Sequence, residues 1–312
     1  MNLRSSNEIK AEAQRLGFFA CGIAEADRVS ADEENHLRSW LERGMNADMA
    51  WMNNYLDKRL DPRLLMDGLR SIVSVAMNYA PAKTLPAGEP QLAAYALGRD
   101  YHDVMKQRLH RLAAFVYGEE RVSQANYRVF VDSGPVLERY WAVKAGLGWV
   151  GKNRLLIIPR AGSMFFLGEL FLDMPLDYDT PMPDRCGRCT NCMDRCPTRA
   201  ICADRPFDAA RCLSYQTIEN RNNLSDEARR TMGNTIYGCD ICQEACPWNR
   251  FAMPTDIPEF QPNEELLAMT RERWRQLTID DFRRLFKASA VKRVKYEGLM
   301  RNISNLFRNF TS

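Results

Sequence analysis

The stretch Cys186-Gly-Arg-Cys189-Thr-Asn-Cys192-Met-Asp-Arg-Cys196-Pro197 decides how this 312-residue chain is read. Its spacing, C-x2-C-x2-C-x3-C-P, sets four thiolates around iron–sulfur clusters. A second, incomplete run follows at Cys239, Cys242 and Cys246, closed again by a proline, Pro247. Structural zinc also uses C-x2-C pairs, but a zinc knuckle takes two cysteines and needs neither four in one run nor a trailing proline. Two such runs point to a pair of [4Fe–4S] clusters and to one-electron transfer at low potential.

In bacterial ferredoxin-type runs the first three cysteines hold one cluster and the fourth crosses to the other. Cys186, Cys189, Cys192 and Cys246 then complete the first cluster. Cys196, Cys239 and Cys242 give the second only three ligands, because Ile236 stands where a full second run would begin. The fourth must come from Cys202 or Cys212, the remaining cysteines nearby. Cys21, far from both runs on a predicted strand, reads as a small core residue.

Around this centre the composition is that of an ordinary globular protein, 46% hydrophobic and 27% charged. No apolar run approaches the roughly 18 residues of a membrane helix; the best, Met164 to Leu172, is interrupted by Glu169. The N-terminus leads into an amphipathic segment without the apolar stretch of a signal peptide. A cytoplasmic, reducing setting is expected, where thiolates bind metal more readily than they form disulfides. The net charge of +3 hides an uneven distribution: from Arg271 onward eleven basic side chains face four acidic ones, about +7.

The pattern predicts an α+β protein in three parts: a mixed α/β domain at 1–180, a two-cluster ferredoxin-like domain at 181–252 and a basic helical segment at 253–312. Ser5 and Glu8 have capping-box spacing for a helix ending at Gly17. Further helices are expected at 32–43 and 101–117, and strands at 18–24, 71–80, 127–132, 155–159 and 164–172. Asp132 ends one of these strands before the Ser133-Gly134-Pro135 turn. It reads either as an N-cap for a helix beginning near Val136 or as a carboxyl group projecting from the sheet edge into a site.

Several stretches together resemble the epoxyqueuosine reductase family. They are the two cysteine runs, Tyr95-Ala-Leu-Gly-Arg-Asp-Tyr-His102, Val131-Asp-Ser-Gly-Pro-Val-Leu-Glu-Arg139 and Gly146-Leu-Gly-Trp-Val-Gly-Lys-Asn153. Arg211-Cys-Leu-Ser-Tyr-Gln-Thr-Ile-Glu219 and Lys292-Arg-Val-Lys-Tyr-Glu-Gly-Leu-Met-Arg-Asn302 continue it, in family order and over nearly the whole chain. The resemblance implies a cobalamin-dependent iron–sulfur enzyme that reduces epoxyqueuosine to queuosine at the tRNA wobble position. It makes Cys212 the missing ligand of the second cluster, and it implies attack by Co(I) on the epoxide with Asp132 as proton donor. Tyr95, Asp132, Asn153, Ser163 and Ser214 become candidate cobalamin contacts, and Arg293, Lys295 and Arg301 candidate contacts to the anticodon region of tRNA. An external low-potential electron donor and a monomer are expected.

The Asp-x-His-x-x-Gly pattern of another cobalamin class starts at Asp100-Tyr-His102 but has Met105 in place of glycine, so no histidine ligand to cobalt is expected. For Asp132 to act as an acid, burial or a nearby anion should raise its pKa. The chain resembles a short form, ending before the helical-repeat region of longer members. The competing functions are a cobalamin-dependent reductase of small substrates, akin to reductive dehalogenases, and a non-catalytic iron–sulfur electron carrier.

Overall fold

Ser5 opens the first helix, α1 (Ser6–Arg15), through a capping box in which its hydroxyl accepts the Glu8 N–H and the Glu8 carboxylate accepts the Ser5 N–H. Gly17 follows the helix at φ 90°, a left-handed turn that glycine makes without strain. The computed structural model describes residues 4–203 and 206–308. By their contacts these fall into two compact units. The first holds the residues up to Ser39, Trp51–Asn78 and Tyr101–Cys189; the second holds Trp40–Ala50, Tyr79–Asp100 and the residues from Thr190 on. Compact units and consecutive segments therefore differ, and the basic C-terminal segment shares a unit with most of the cysteines.

The first unit is built on a four-stranded sheet of β1 (Ala20–Glu25), β2 (Ser71–Asn78), β3 (Tyr127–Phe130) and β4 (Phe165–Leu172). Their order is β1-β2-β4-β3 and every pairing is antiparallel. All four strands lie where the apolar, β-branched and aromatic runs predict them, with ends displaced by a residue or two. The run at 155–159 forms only Leu156–Ile157, paired with Trp149–Val150 in a separate short ladder.

β2 is buried from Ser71 to Met77, so both faces of the sheet are covered. Helix α2 (Tyr101–Tyr117) packs on β4 and β3, and α3 (Glu138–Lys144) packs on β1, β2 and β4. A Cβ at Gly168 would touch Met105 and Leu109 of α2. Side chains alternate along a strand, so Glu169 turns to the opposite face, toward α3. There it lies in register with Gly22, Ser74 and Phe130. Gly22 admits the end of α3, since a Cβ there would collide with the Ala145 carbonyl.

The second unit carries the short helices α4 (Asn191–Asp194), α5 (Leu213–Ile218) and α6 (Ile241–Glu244), and the longer α7 (Lys295–Arg308). Its core gathers Leu213, Ile236, Trp274, Phe286, Leu299 and Ile303, each burial contributing about 1.5–3 kcal/mol for a large apolar side chain. Leu299, Asn302, Ile303 and Leu306 form the buried stripe of α7, at the spacing of one helical face. Asn302, fully inaccessible, donates from Nδ2 to the carbonyls of Thr217 and Ile236, each at 2.8 Å. The basic terminal helix is thereby tied to the segments that precede Cys239 and follow Cys212.

Candidate functional site

In the second unit the two cysteine runs end in the same local form. A four-residue helix, α4 or α6, carries the third or second cysteine of its run, and the chain then leaves through Cys196-Pro197 or Cys246-Pro247. Proline cannot continue a helix, so each run ends in a sharp exit. The two helices pack on each other. Cys212 caps the start of α5 after a short turn at Ala209–Arg211.

This brings Cys196, Cys212, Cys239 and Cys242 together: each of the last three feels the charge of Cys196, and Cys239 and Cys242 both feel Cys212. Burial, reinforced by these neighbours, pushes the Cys239 thiol up to about 12 and raises those of Cys212 and Cys242. Such thiols shed their protons only to a metal centre that neutralises them, and all ten cysteines are free of disulfides. The set suits a cluster held by four thiolates. Among the described residues no three such groups close on a single metal ion; the cysteines of a four-iron cube stand farther apart than the ligands of one ion.

Cys192 also lies near Cys242, and Cys246 is 9% accessible. Cys186 and Cys189 belong to the first unit. There Asp184 accepts the Cys186 N–H at 2.7 Å, and Lys152 donates from Nζ to the carbonyls of Gly187 and Cys189, each at 2.8 Å. Lys152 thus pins the first half of the run. Cys202 lies against the Arg199 carbonyl, and burial pushes the Cys21 thiol on β1 to about 12.

The second constellation is in the first unit. Asp132 follows the buried Val131 just beyond β3, in a left-handed backbone with φ 55°. Gly134 folds so tightly over β3 that a Cβ would strike the Phe130 ring. The helix beyond begins at Glu138 with Leu137 as its cap residue, so Asp132 is not the N-cap of a helix at Val136. The Tyr101 hydroxyl donates to Asp132 Oδ2 at 2.5 Å, and His102 Nε2 lies 3.7 Å from the same oxygen. The Tyr101 ring is stacked between Phe166 and His102, with centroids 4.2 Å away in each case. The Asp132 side chain remains 61% accessible, open to a substrate.

Its protonation differs from the sequence expectation. Desolvation, the largest single influence, pushes Asp132 upward, but the hydrogen bonds from His102 and Tyr101 and the charges of His102 and Arg139 outweigh it. The net shift is downward, and Asp132 is ionised at neutral pH. The raised carboxyl is Glu138, pushed to about 8 by burial and by the charge of Asp132. Its Oε1 accepts the Asp132 backbone N–H. Glu169, facing α3 from the centre of the sheet, is raised well above the carboxylate range by burial and then by Glu138. It is fully inaccessible, and neither of its carboxyl oxygens has a hydrogen-bond partner.

The remaining candidates are dispersed. Asn153 and Ser163 are buried in the first unit; Asn153 Oδ1 accepts the Leu155 N–H at 3.3 Å, while its Nδ2 has no partner. Tyr95 in the second unit bonds the Tyr237 hydroxyl at 3.2 Å, and Ser214 sits on α5 beside Cys212. Arg293 grips the Glu219 carboxylate through Nε and Nη2 at 2.9 Å each. Arg301 donates to the carbonyls of Gln216, Asn220 and Asn222. Lys295 is exposed at the head of α7, at φ 60°. Sequence reading selects Asp132 but misses Tyr101, Glu138, Glu169 and Lys152. The visible signal was Glu169, a lone carboxylate in an apolar strand.

Comparison with known proteins covers both constellations. A family model described as epoxyqueuosine reductase QueG, DUF1730, matches residues 59–133, and one for a 4Fe-4S double cluster binding domain matches 185–249. The chain is 45% identical to the epoxyqueuosine reductase of Cellulophaga algicola, over 97% of this chain and 98% of that one. It is 48% identical to that of Leadbetterella byssophila, over 96% and 97%. Among solved structures it superposes with TM-score 0.86 and 28% identity on an epoxyqueuosine reductase with an epoxyqueuosine-modified tRNA-Tyr stem loop, over 97% of this chain and 81% of that one. A Bacillus subtilis epoxyqueuosine reductase, described with its catalytic aspartate loop swung out of the active site, matches with TM-score 0.82 and 27% identity, over 97% and 81%. This chain, an oxidoreductase carrying a double [4Fe–4S] cluster-binding domain, belongs to the epoxyqueuosine reductase family.

Proposed function

We propose that the chain reduces the epoxide of epoxyqueuosine in the anticodon region of tRNA, giving queuosine. The observation that carries this reading is the pairing, within one family chain, of a thiol array suited to electron delivery with an accessible carboxylate. That carboxylate, Asp132, is fixed by Tyr101 and His102. By sequence pattern Cys186, Cys189, Cys192 and Cys246 ligate one cluster, and Cys196, Cys212, Cys239 and Cys242 the other. An external low-potential donor feeds them.

Cobalamin is the cofactor that family membership implies. In the first unit, the orphaned Nδ2 of buried Asn153 fits it as a donor lacking an acceptor. Ser163 and Asp132 are the other candidate contacts in that unit, and Tyr95 and Ser214 those in the second. When bound, cobalamin supplies a strongly reducing, nucleophilic metal centre. The chain's own residues handle the proton: Tyr101 orients the Asp132 carboxyl group, His102 balances its charge, and Asp132 delivers a proton to the departing epoxide oxygen. Since Asp132 is ionised at rest, it must be loaded before it delivers. Lys295 is the proposed phosphate contact, and Arg293 and Arg301 shape the surface around it.

The test is nucleoside mass spectrometry on an epoxyqueuosine-containing stem loop, incubated anaerobically with reconstituted protein and reductant, with and without cobalamin. Cobalamin-dependent loss of one oxygen is expected, and Asp132→Asn should lower the rate by about 100-fold or more, the usual contribution of a positioned acid. An intact epoxide in the presence of protein bearing both clusters and cobalamin would reject the assignment.

A further inference from the structure

Three segments of the second unit are knitted together around a small cleft. Gly98 passes so close to the next segment that a Cβ there would strike the Phe260 backbone. The Arg99 N–H donates to the Glu259 carbonyl and the Asp100 N–H to the Ala288 carbonyl, each at 2.7 Å. Ala288 takes a left-handed backbone, φ 53°, without being glycine. Such strain persists only where the surroundings enforce it, and it gathers at ligand sites. The cleft between these segments measures about 100 Å³, room for a few water molecules or one tetrahedral oxyanion.

Its lining divides by chemistry. Leu97, Leu266 and Phe286 are buried apolar side chains. The polar members are Arg99, Gln261, Asn263, Lys287 and Ser289, and no acidic side chain is among the lining residues. Arg99 and Lys287 are exposed, and among the described residues neither charged group has an ion-pair or hydrogen-bond partner. Gln261 Nε2 is spent on the Thr255 carbonyl. Asn263 Oδ1 accepts the Leu266 N–H at 2.7 Å, which leaves its Nδ2 to donate. Ser289, 6% accessible, accepts the Val291 N–H at 3.2 Å through Oγ and keeps its hydroxyl hydrogen to give.

We propose that this cleft binds a phosphate group, with Arg99 and Lys287 balancing its charge and Asn263 and Ser289 directing its oxygens. A guanidinium, an ammonium, an amide and a hydroxyl arriving from three segments suit a tetrahedral oxyanion better than a planar carboxylate. The phosphate belongs to the backbone of the RNA substrate. Lys287 is part of the basic segment from Arg271 onward, so the cleft continues a surface suited to releasing counterions. This choice of source rests on tRNA as the substrate; the phosphate site itself does not.

The experiment uses the cluster-loaded protein as wild type, Arg99→Gln and Asn263→Asp. Aspartate caps the helix Glu264–Leu267 as asparagine does, so the fold is kept while a donor becomes an anion. Equilibrium dialysis against radiolabelled inorganic phosphate, with chloride holding the ionic strength constant, reads the site. One phosphate per chain is expected, bound about 10-fold or more weakly by each variant. Binding of an anticodon stem loop across salt reads the source. A backbone phosphate in the cleft predicts that the stem loop expels the labelled phosphate. It also predicts that Arg99→Gln flattens the salt slope by about 0.7 to 0.9 and that Asn263→Asp weakens stem-loop binding. Phosphate that is bound but not expelled, with stem-loop binding unmoved in both variants, confirms the site and assigns it to a free phosphate. Wild type that takes up no phosphate, with stem-loop binding unmoved in both variants, overturns the proposal, as does uptake that Asn263→Asp leaves intact. A slope changed by Arg99→Gln while Asn263→Asp binds the stem loop like wild type would mean surface charge and no site. Wild type that binds phosphate and stem loop but leaves the epoxide intact overturns the reaction, not the cleft.

Discussion

Asp132 and Glu138 are six residues apart and titrate in opposite directions, and the reason lies in their partners. Asp132 receives a hydroxyl hydrogen bond and faces an imidazole, so its anion is favoured. Glu138 receives one backbone N–H and faces that anion, so its neutral form is favoured. The stability consequence has a definite sign. An unfolded glutamate loses its proton near 4.5, whereas folded Glu138 keeps it to about 8. Between those values the folded state binds more protons, so stability falls as pH rises through the window and levels off above it. Glutamine does not titrate. Glu138→Gln should therefore gain melting temperature relative to wild type by a few degrees between pH 4.5 and pH 9, measured by calorimetry with the clusters intact. A difference that stays constant with pH would mean that the raised carboxyl is another group.

At the scale of elements, the cysteine loops are held by groups outside the motif. Lys152 comes from the turn after Trp149–Val150 and fastens the carbonyls of Gly187 and Cys189. Its ammonium brings positive charge to the first cysteine pair, and positive charge near a cluster raises its potential. Lys152→Met should shift the first cluster to a more negative midpoint in an EPR-monitored titration, with the second cluster unmoved; equal shifts in both would argue against this local role. Asn302 is the matching prop in the second unit. Asn302→Leu leaves the carbonyls of Thr217 and Ile236 unpaired in a dry setting, at a cost of about 2–3 kcal/mol. Denaturant melts and iron content should fall together, since the same contact steadies the segments flanking Cys212 and Cys239.

Much at this scale was legible. The Ser5–Glu8 capping box, the helix at Tyr101–Tyr117 and all four sheet strands follow from local pattern. The start of α3 at Glu138 did not, because no capping side chain announces it. Nor did the carboxyl cluster: Glu169 meets Glu138 only through the sheet order β1-β2-β4-β3 and the packing of α3, both set by long-range contacts.

At the scale of the whole molecule the uneven charge is the property with most bearing on tRNA, and the folded chain uses up much of it. Of the eleven basic side chains from Arg271 onward, Arg273, Arg283, Arg284 and Arg293 are ion-paired, and Arg301 is spent on backbone carbonyls. Among the described residues Lys287, Lys292 and Lys295 are exposed and have no ion-pair partner. Arg271 and Arg275 lie over the Phe307 ring, so the three lysines are the cations of this segment best placed to displace counterions from RNA. Each phosphate neutralised contributes about −0.7 to −0.9 to the slope of log K against log salt. The triple variant K287Q, K292Q, K295Q should flatten that slope by about 2 to 3 in stem-loop binding measured across salt, with the melting temperature unchanged. Arg301→Gln should do the reverse, lowering the melting temperature through the carbonyls it abandons while leaving the slope nearly intact. Equal slopes for wild type and triple variant would move the tRNA contact off these three lysines. The three lysines would then serve the solubility of the second unit rather than its binding of RNA.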